Sequence, residues 1–229
     1  NMNSLQNGWA WAAIGATKAS IGDDDLAILC YQQTLRCRDM ANIEQEKLGL
    51  FFSLPGDECS SGSSSRRNLE CGKTWAALAG CYRRLGKYSA SLRAYTSASN
   101  DSSLDLSEYC AWAQVELELG LMDEASVKFE KVLEESDSSP TRYSAAYSLA
   151  TCMLVIARQD VEEGKFGAAL SHLEKGIEIV STHLIGTDED TTFSCNWKLL
   201  GDLYSSASIL PPSVFATAGN DKVYADMMK

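Results

Sequence analysis

One arrangement of large and small residues is written along this chain at a spacing of 34 residues, and it decides which folds are open to it. Trp75, Leu78, Tyr82, Gly86, Tyr88, Ser91, Tyr95 and Ala98 are followed, 34 positions on, by Tyr109, Trp112, Glu116, Gly120, Met122, Ala125, Phe129 and Val132. Upstream, Trp11, Ile14, Gly15, Ala27 and Tyr31 fall on the same grid. Downstream, Gly164, Phe166, Ala169 and Leu173 mark a further copy, and Trp197, Leu200, Gly201 and Tyr204 open another. A recurring period of this length marks a chain built by stacking one small unit.

The spacing suits two antiparallel helices of about four turns each, joined by a short turn, which together take roughly 34 residues. A large aromatic on the first helix fills the space left by small residues on the second. A glycine such as Gly86 or Gly120 ends the first helix in a conformation that other residues adopt at a cost. One such hairpin cannot bury its apolar face, whereas stacked hairpins can. The pattern resembles the tetratricopeptide repeat, which implies an all-α fold, a right-handed superhelix (solenoid) of helix pairs with a concave and a convex surface. The structural anchors are then Trp11, Gly15, Trp75, Tyr82, Gly86, Tyr95, Trp112, Gly120, Phe129, Gly164, Trp197 and Gly201.

Composition agrees and narrows the function classes. Apolar residues make up 45% of the chain, there are only 4 prolines, and no segment alternates as strands do. A net charge of −11 argues against a dominant nucleic-acid-binding face. The 8 cysteines form no C-x2-C pair, and Cys81, Cys110 and Cys152 stand where other copies carry small residues, so they read as buried packing residues in a reducing compartment. The apolar runs Trp9 to Ile14 and Met153 to Ala157 are too short to span a bilayer, and a soluble intracellular protein with no membrane partner is expected.

The organisation expected is one solenoid segment over residues 1–229. Regular copies occupy 8–37, 71–104 and 105–138, a copy with overlong helices occupies 141–185, and a repeat start with an irregular end occupies 193–229. Trp11 and Trp75 are 64 positions apart, and the excess over 34 is read as an irregular helix plus a serine-rich loop at 38–70, the loop spanning 53–68 with Pro55, Gly56 and Gly62. Arg66 and Arg67 beside the serines stand open as either a modification or docking site or a plain solvated linker. Tyr143, Tyr147, Ala150, Leu154, Ala157 and Val161 keep a helical 4-3-4-3-4 rhythm that predicts one helix of about six turns, and Phe166, Leu170, Leu173, Ile177, Val180 and Leu184 continue it on the partner helix. Pro211 and Pro212 are expected to break whatever follows.

The run from Leu173 to Val180, L-E-K-G-I-E-I-V, followed by a polar loop and Ser194-Cys195-Asn196-Trp197-Lys198-Leu199-Leu200-Gly201-Asp202, resembles the central part of the tetratricopeptide scaffold subunits of the Superkiller (Ski) complex. The resemblance covers roughly Cys71 to Phe215, and members of that family are far longer than this chain. It implies a non-catalytic protein-protein interaction scaffold that holds an RNA helicase and a WD-repeat subunit together, in an assembly that feeds mRNA to the cytoplasmic exosome for 3′-5′ decay. RNA would be met only indirectly, and the implied location is the cytoplasm, with the nucleus also open. The alternatives are a generic repeat scaffold or adaptor of another multiprotein assembly, and a repeat appendage of an enzyme.

No residue constellation points to catalysis, a cofactor, a metal or a small-molecule substrate. Gly72-Lys73-Thr74 lacks the upstream glycine of a phosphate-binding loop, because position 67 is Arg67. His172 and His183, eleven apart, are read as solvent or capping residues. The carboxylate clamp of co-chaperones would need Lys, Asn and Arg where this chain has Ala12, Ala16, Ala77, Ser107 and Ala111, so that use is rejected. On the first helices of the repeats, Lys73, Arg83, Arg84, Gln114, Glu118 and Arg158 are the candidate concave binding surface, and each equally suits a solvated face.

Overall fold

A computed structural model describes residues 2–51, 62–101, 104–185 and 194–218, and its elements are all helical. They are α1 (Met2–Ile21), α2 (Asp24–Phe51), α3 (Gly62–Arg84), α4 (Tyr88–Asp101), α5 (Leu106–Glu118), α6 (Met122–Glu135), α7 (Ser139–Glu162), α8 (Phe166–Ile179), a π turn (Val180–Ile185), α9 (Ser194–Ser208) and α10 (Pro212–Ala218). The chain forms two compact units, Asn1–Val115 and Glu116–Lys229, divided within α5.

Four turns share one device. Gly22, Gly86, Gly120 and Gly164 all have positive φ, between 69° and 88°. Around Gly86 the Lys87 amide donates to the Tyr82 carbonyl at 2.9 Å and the Gly86 amide to the Arg83 carbonyl at 3.0 Å, the paired bonds that close a helix C-terminus. A side chain at any of the four would strain the backbone. Gly22 occupies the grid position of Gly86, eleven residues past its tryptophan, although the sequence reading did not single it out.

In the first unit, Ala27, Ile28, Tyr31 and Leu35 of α2 pack with Leu78 and Cys81 of α3, and Trp75 and Tyr82 lie against this cluster half-buried. Gly15 lets α1 approach α2: a Cβ there would sit 3.0 Å from the Tyr31 ring and 3.2 Å from Cys30 Cβ. The Ser91 hydroxyl, fully buried, donates to the Ala79 carbonyl at 2.8 Å and ties α4 to α3. Tyr95 stacks on Trp112 at 6.4 Å, and Tyr109 meets Trp112 edge-on at 5.8 Å.

In the second unit α7 is a single helix of 24 residues that opens with Pro140 in its first turn, a position where the missing amide costs nothing. It buries Ala145, Ala146, Leu149, Ala150, Cys152, Met153, Leu154 and Ala157, and the four alanines and Cys152 among them admit its neighbours closely. At Gly176 of α8 a Cβ would meet Leu203 of α9 at 2.9 Å and Met153 of α7 at 3.4 Å, so glycine sets the distance of closest approach there. Phe129 and Val132 of α6 are fully buried.

Several expectations are corrected. The helix expected from residue 38 is not a separate, irregular element: α2 continues without interruption to Phe51, through Met40, Ala41, Glu44, Gln45, Glu46, Lys47 and Leu48, good helix formers with no proline among them. Residues 62–68 are the first turns of α3 rather than loop, while 53–61 lie outside the described residues. Pro212 opens α10 instead of breaking the chain. Two aromatic anchors are exposed. Trp11 is 39% exposed and Trp197 is 55% exposed. In α9 the core face is Asn196, Leu199, Leu203, Ser206 and Ala207, one residue off the grid, and this turns Trp197 outward and leaves Gly201 exposed in open space.

Candidate functional site

Of the six surface candidates, Lys73, Arg83, Arg84 and Gln114 belong to the first unit, and Glu118 and Arg158 to the second. Lys73 on α3 and Glu118 on α5 are exposed. Arg83 reaches from α3 to α5 and donates through Nη1 to Gln114 Oε1 at 3.0 Å, so these two are brought together. Arg84 turns the other way. Its Nε donates to both carboxylate oxygens of the buried Asp24, at 3.0 and 2.9 Å, which pins the start of α2 to the end of α3. This two-point pair holds the Asp24 carboxyl below its ordinary range, and Arg84 is a structural residue rather than a recognition residue. Arg158 lies in the second unit, exposed, with Nε 3.5 Å from Ser206 Oγ, on the rim of a cleft of about 420 Å³ floored by Ala157, Val161 and Leu173 and bordered by Ile209, which is 73% exposed.

A second cleft, of about 450 Å³, lies in the first unit between α2 and α4, with α3 as its floor. Trp75, Leu78 and Tyr82 form that floor. Gln32 and Arg36 stand on the α2 wall, and Arg93 stands on the α4 wall. The Gln32 amide donates to the Tyr82 hydroxyl at 2.9 Å, which fixes both polar groups in place. Sequence reasoning missed Arg36 and Arg93 because it searched only the first helices of the repeats. Two arginines on second helices flanking the Trp75 grid position were the available signal.

The chemistry of the titratable side chains is that of packing. Burial pushes the Cys81 thiol up to about 11 and the Cys152 thiol up to about 12, so neither supplies a thiolate near neutral pH. His172 Nδ1 lies 2.9 Å from Asp160 Oδ2, joining α8 to α7 as a paired residue rather than a solvent one. Burial lowers the His183 imidazole, and the Arg142 charge adds to this. Among the described residues no group of histidine, cysteine and carboxylate side chains is placed to hold a metal, and no helix is long and apolar enough to cross a membrane.

Two buried polar groups escaped the sequence reading. Glu116, where the preceding copy has Tyr82, is 4% exposed and accepts from Lys128 Nζ at 2.7 Å, and burial raises its carboxyl despite that partner. Asn196 is fully buried. It accepts from the Tyr143 hydroxyl at 2.8 Å and donates through Nδ2 to the Leu184 carbonyl of the π turn at 3.1 Å. The residue next to the presumed tryptophan anchor is the true core residue, and it holds α7, the π turn and α9 together.

No family model matches the chain. Superkiller complex protein 3 of Homo sapiens is 24% identical over 139 residues, which are 61% of this chain and 8% of that protein, so the chain spans a small fraction of the relative's length. Among solved structures, that of YrrB, described as a TPR protein with an unusual peptide-binding site, aligns with a TM-score of 0.50 at 12% identity, over 95% of this chain and 80% of that one. The structure of MamA protein aligns with a TM-score of 0.34 at 18% identity, over 77% of this chain and 93% of that one. The YrrB likeness and the glycine-closed helical hairpins give the fold: an all-α tetratricopeptide-repeat solenoid.

Proposed function

We propose that this chain is a non-catalytic scaffold for protein partners, and that it works as part of a Superkiller-type assembly in the cytoplasm. The observation that carries the assembly is the 24% identity over 139 residues to Superkiller complex protein 3. That stretch is longer than any single helical hairpin here, so the likeness does not rest on one repeat. In this reading an RNA helicase and a WD-repeat subunit are the partners, RNA is reached only through them, and the assembly delivers mRNA to the exosome for 3′-5′ decay. ATP hydrolysis and phosphodiester cleavage are the work of those other proteins. The chain's contribution is geometry: rigid hairpins, closed by glycines of fixed backbone conformation, that present side chains at set distances.

The scaffold role has support of its own in the two clefts, one in each unit, whose floors are apolar and whose rims carry arginine. Such clefts accept segments of other proteins. The reading is tested by affinity purification of the full-length protein from cells, with mass spectrometry of what accompanies it. Recovery of an RNA helicase, a WD-repeat protein and exosome subunits is expected. Recovery of a different, reproducible set of partners would move the chain to another assembly and keep only the scaffold role.

A further inference from the structure

The cleft of the first unit carries a charge opposite to that of the molecule. The whole chain has 20 basic against 31 acidic side chains, yet the ten residues that line this cleft include Arg36 and Arg93 and no aspartate or glutamate. Both arginines are exposed, one on each wall, and neither has an ion-pair partner among the described residues, in contrast to Arg84, which is held by Asp24. Two guanidinium groups left unpaired in so acidic a protein draw carboxylates, and their planar forks bind them with two parallel hydrogen bonds.

The floor supplies the second requirement. Trp75 is half-buried with part of its ring open to the cleft, Leu78 closes the base, and Tyr82 is fixed by the amide of Gln32 at 2.9 Å. An apolar side chain entering here displaces water from aromatic surface, and the pre-set tyrosine and glutamine need no reorganisation. A volume of about 450 Å³ holds a few side chains and not a folded domain.

We propose that this cleft binds an acidic linear peptide of a partner protein, with one apolar side chain seated on Trp75 and Leu78 and carboxylates on either side of it held by Arg36 and Arg93. The inference rests on the scaffold reading for its claim that the ligand is a protein segment. It adds a site on the second helices of the repeats, α2 and α4, apart from the first-helix residues that the repeat pattern singles out.

The test is fluorescence polarisation on the full chain with a labelled peptide, Asp-Glu-Leu-Phe-Glu-Asp, against its Asn-Gln-Leu-Phe-Gln-Asn counterpart. Saturable binding of the acidic peptide is expected, weakening as salt rises, with the amide peptide bound about tenfold more weakly or worse. The double variant Arg36→Glu with Arg93→Glu should lose the acidic peptide by at least about tenfold. Lys165→Glu with Lys198→Glu makes the same change in net charge on exposed positions of the second unit and should leave binding unchanged. All the substituted residues are exposed, so unaltered thermal melts are expected. Equal binding of the two peptides, an unaffected Arg36/Arg93 variant, or an equal loss in the lysine control each overturns the proposal. Failure of the peptide in a chain that still recovers its assembly from cells refutes the cleft alone. Peptide binding by a chain that recovers no such assembly keeps the cleft and removes the assembly.

Discussion

Replacing Asn196 with leucine separates this structure from the sequence grid, which placed the weight of α9 on Trp197. Asn196 is fully buried and makes two hydrogen bonds to other elements, one accepted from the Tyr143 hydroxyl at 2.8 Å and one donated to the Leu184 carbonyl at 3.1 Å, and its Oδ1 also accepts from the neighbouring Cys195 thiol at 3.6 Å. Leucine has nearly the same size but neither polar atom. The Leu184 carbonyl loses a donor in a residue only 2% exposed, at a cost of about 1 to 3 kcal/mol. The Tyr143 hydroxyl, half-buried, turns to water at a cost of about 1 kcal/mol or less, and the apolar side chain offsets part of the sum. A net loss of about 2 to 3 kcal/mol follows. In urea unfolding followed by circular dichroism this lowers the midpoint of the second unit by about 0.7 to 3 M, for slopes of about 1 to 3 kcal/mol/M. Tyr143→Phe alone should cost about 1 kcal/mol, and less than that in the Asn196→Leu background, because the bond to Asn196 is already gone. An Asn196→Leu midpoint equal to that of the parent, or full additivity of the two changes, would refute the network.

Three further outcomes are expected. Trp75→Ala should destabilise the first unit by about 2 to 4 kcal/mol, since the ring packs on the α2 and α3 cluster, whereas Trp197→Ala, at a side chain 55% exposed, should stay within about 1 kcal/mol of the parent in the same urea assay. Because the Arg84 pair holds Asp24 below its ordinary value of 3.8, the stability it gives is present above about pH 4 and lost as pH falls through the lowered folded value; melting of the parent should therefore drop more steeply below pH 4 than melting of Asp24→Asn. Cys195, exposed, should alkylate within minutes in the native protein at neutral pH, while Cys81 and Cys152, buried and with thiols near 11 and 12, should react only on unfolding, which mass spectrometry of iodoacetamide-treated protein reads directly.

The hairpins were legible because their signals are local. Glycine at Gly86, Gly120 and Gly164 is demanded by a positive φ within one turn, and the aromatic and small residues around it follow the helical period. The long helix α7 was legible for the same reason, as a sustained rhythm from Tyr143 to Val161. The register of α9 was not, because one residue of rotation about a helix axis exchanges the buried face, and Trp197 with Gly201 imitates an anchor that Asn196 and Leu199 actually supply. A buried asparagine earns its place from the carbonyl it meets twelve residues away, and no local pattern carries that information. Helix past residue 37 was expected, but its continuity with α2 was hidden by the regular repeat length, although most of its residues favour helix. The cleft arginines Arg36 and Arg93 lie 57 positions apart and meet only through the packing of α2 and α4 on α3. Sites assembled across hairpins are read from coordinates, whereas hairpins are read from the chain.

The scaffold reading is tested most directly by chemical cross-linking and mass spectrometry of the full-length protein purified with its native partners. Cross-links from lysines of this segment, such as the exposed Lys73 and Lys198, to an RNA helicase or a WD-repeat subunit are the expected result. Cross-links from these lysines confined to proteins of an unrelated assembly, with the helicase and the WD-repeat subunit absent, would contradict it.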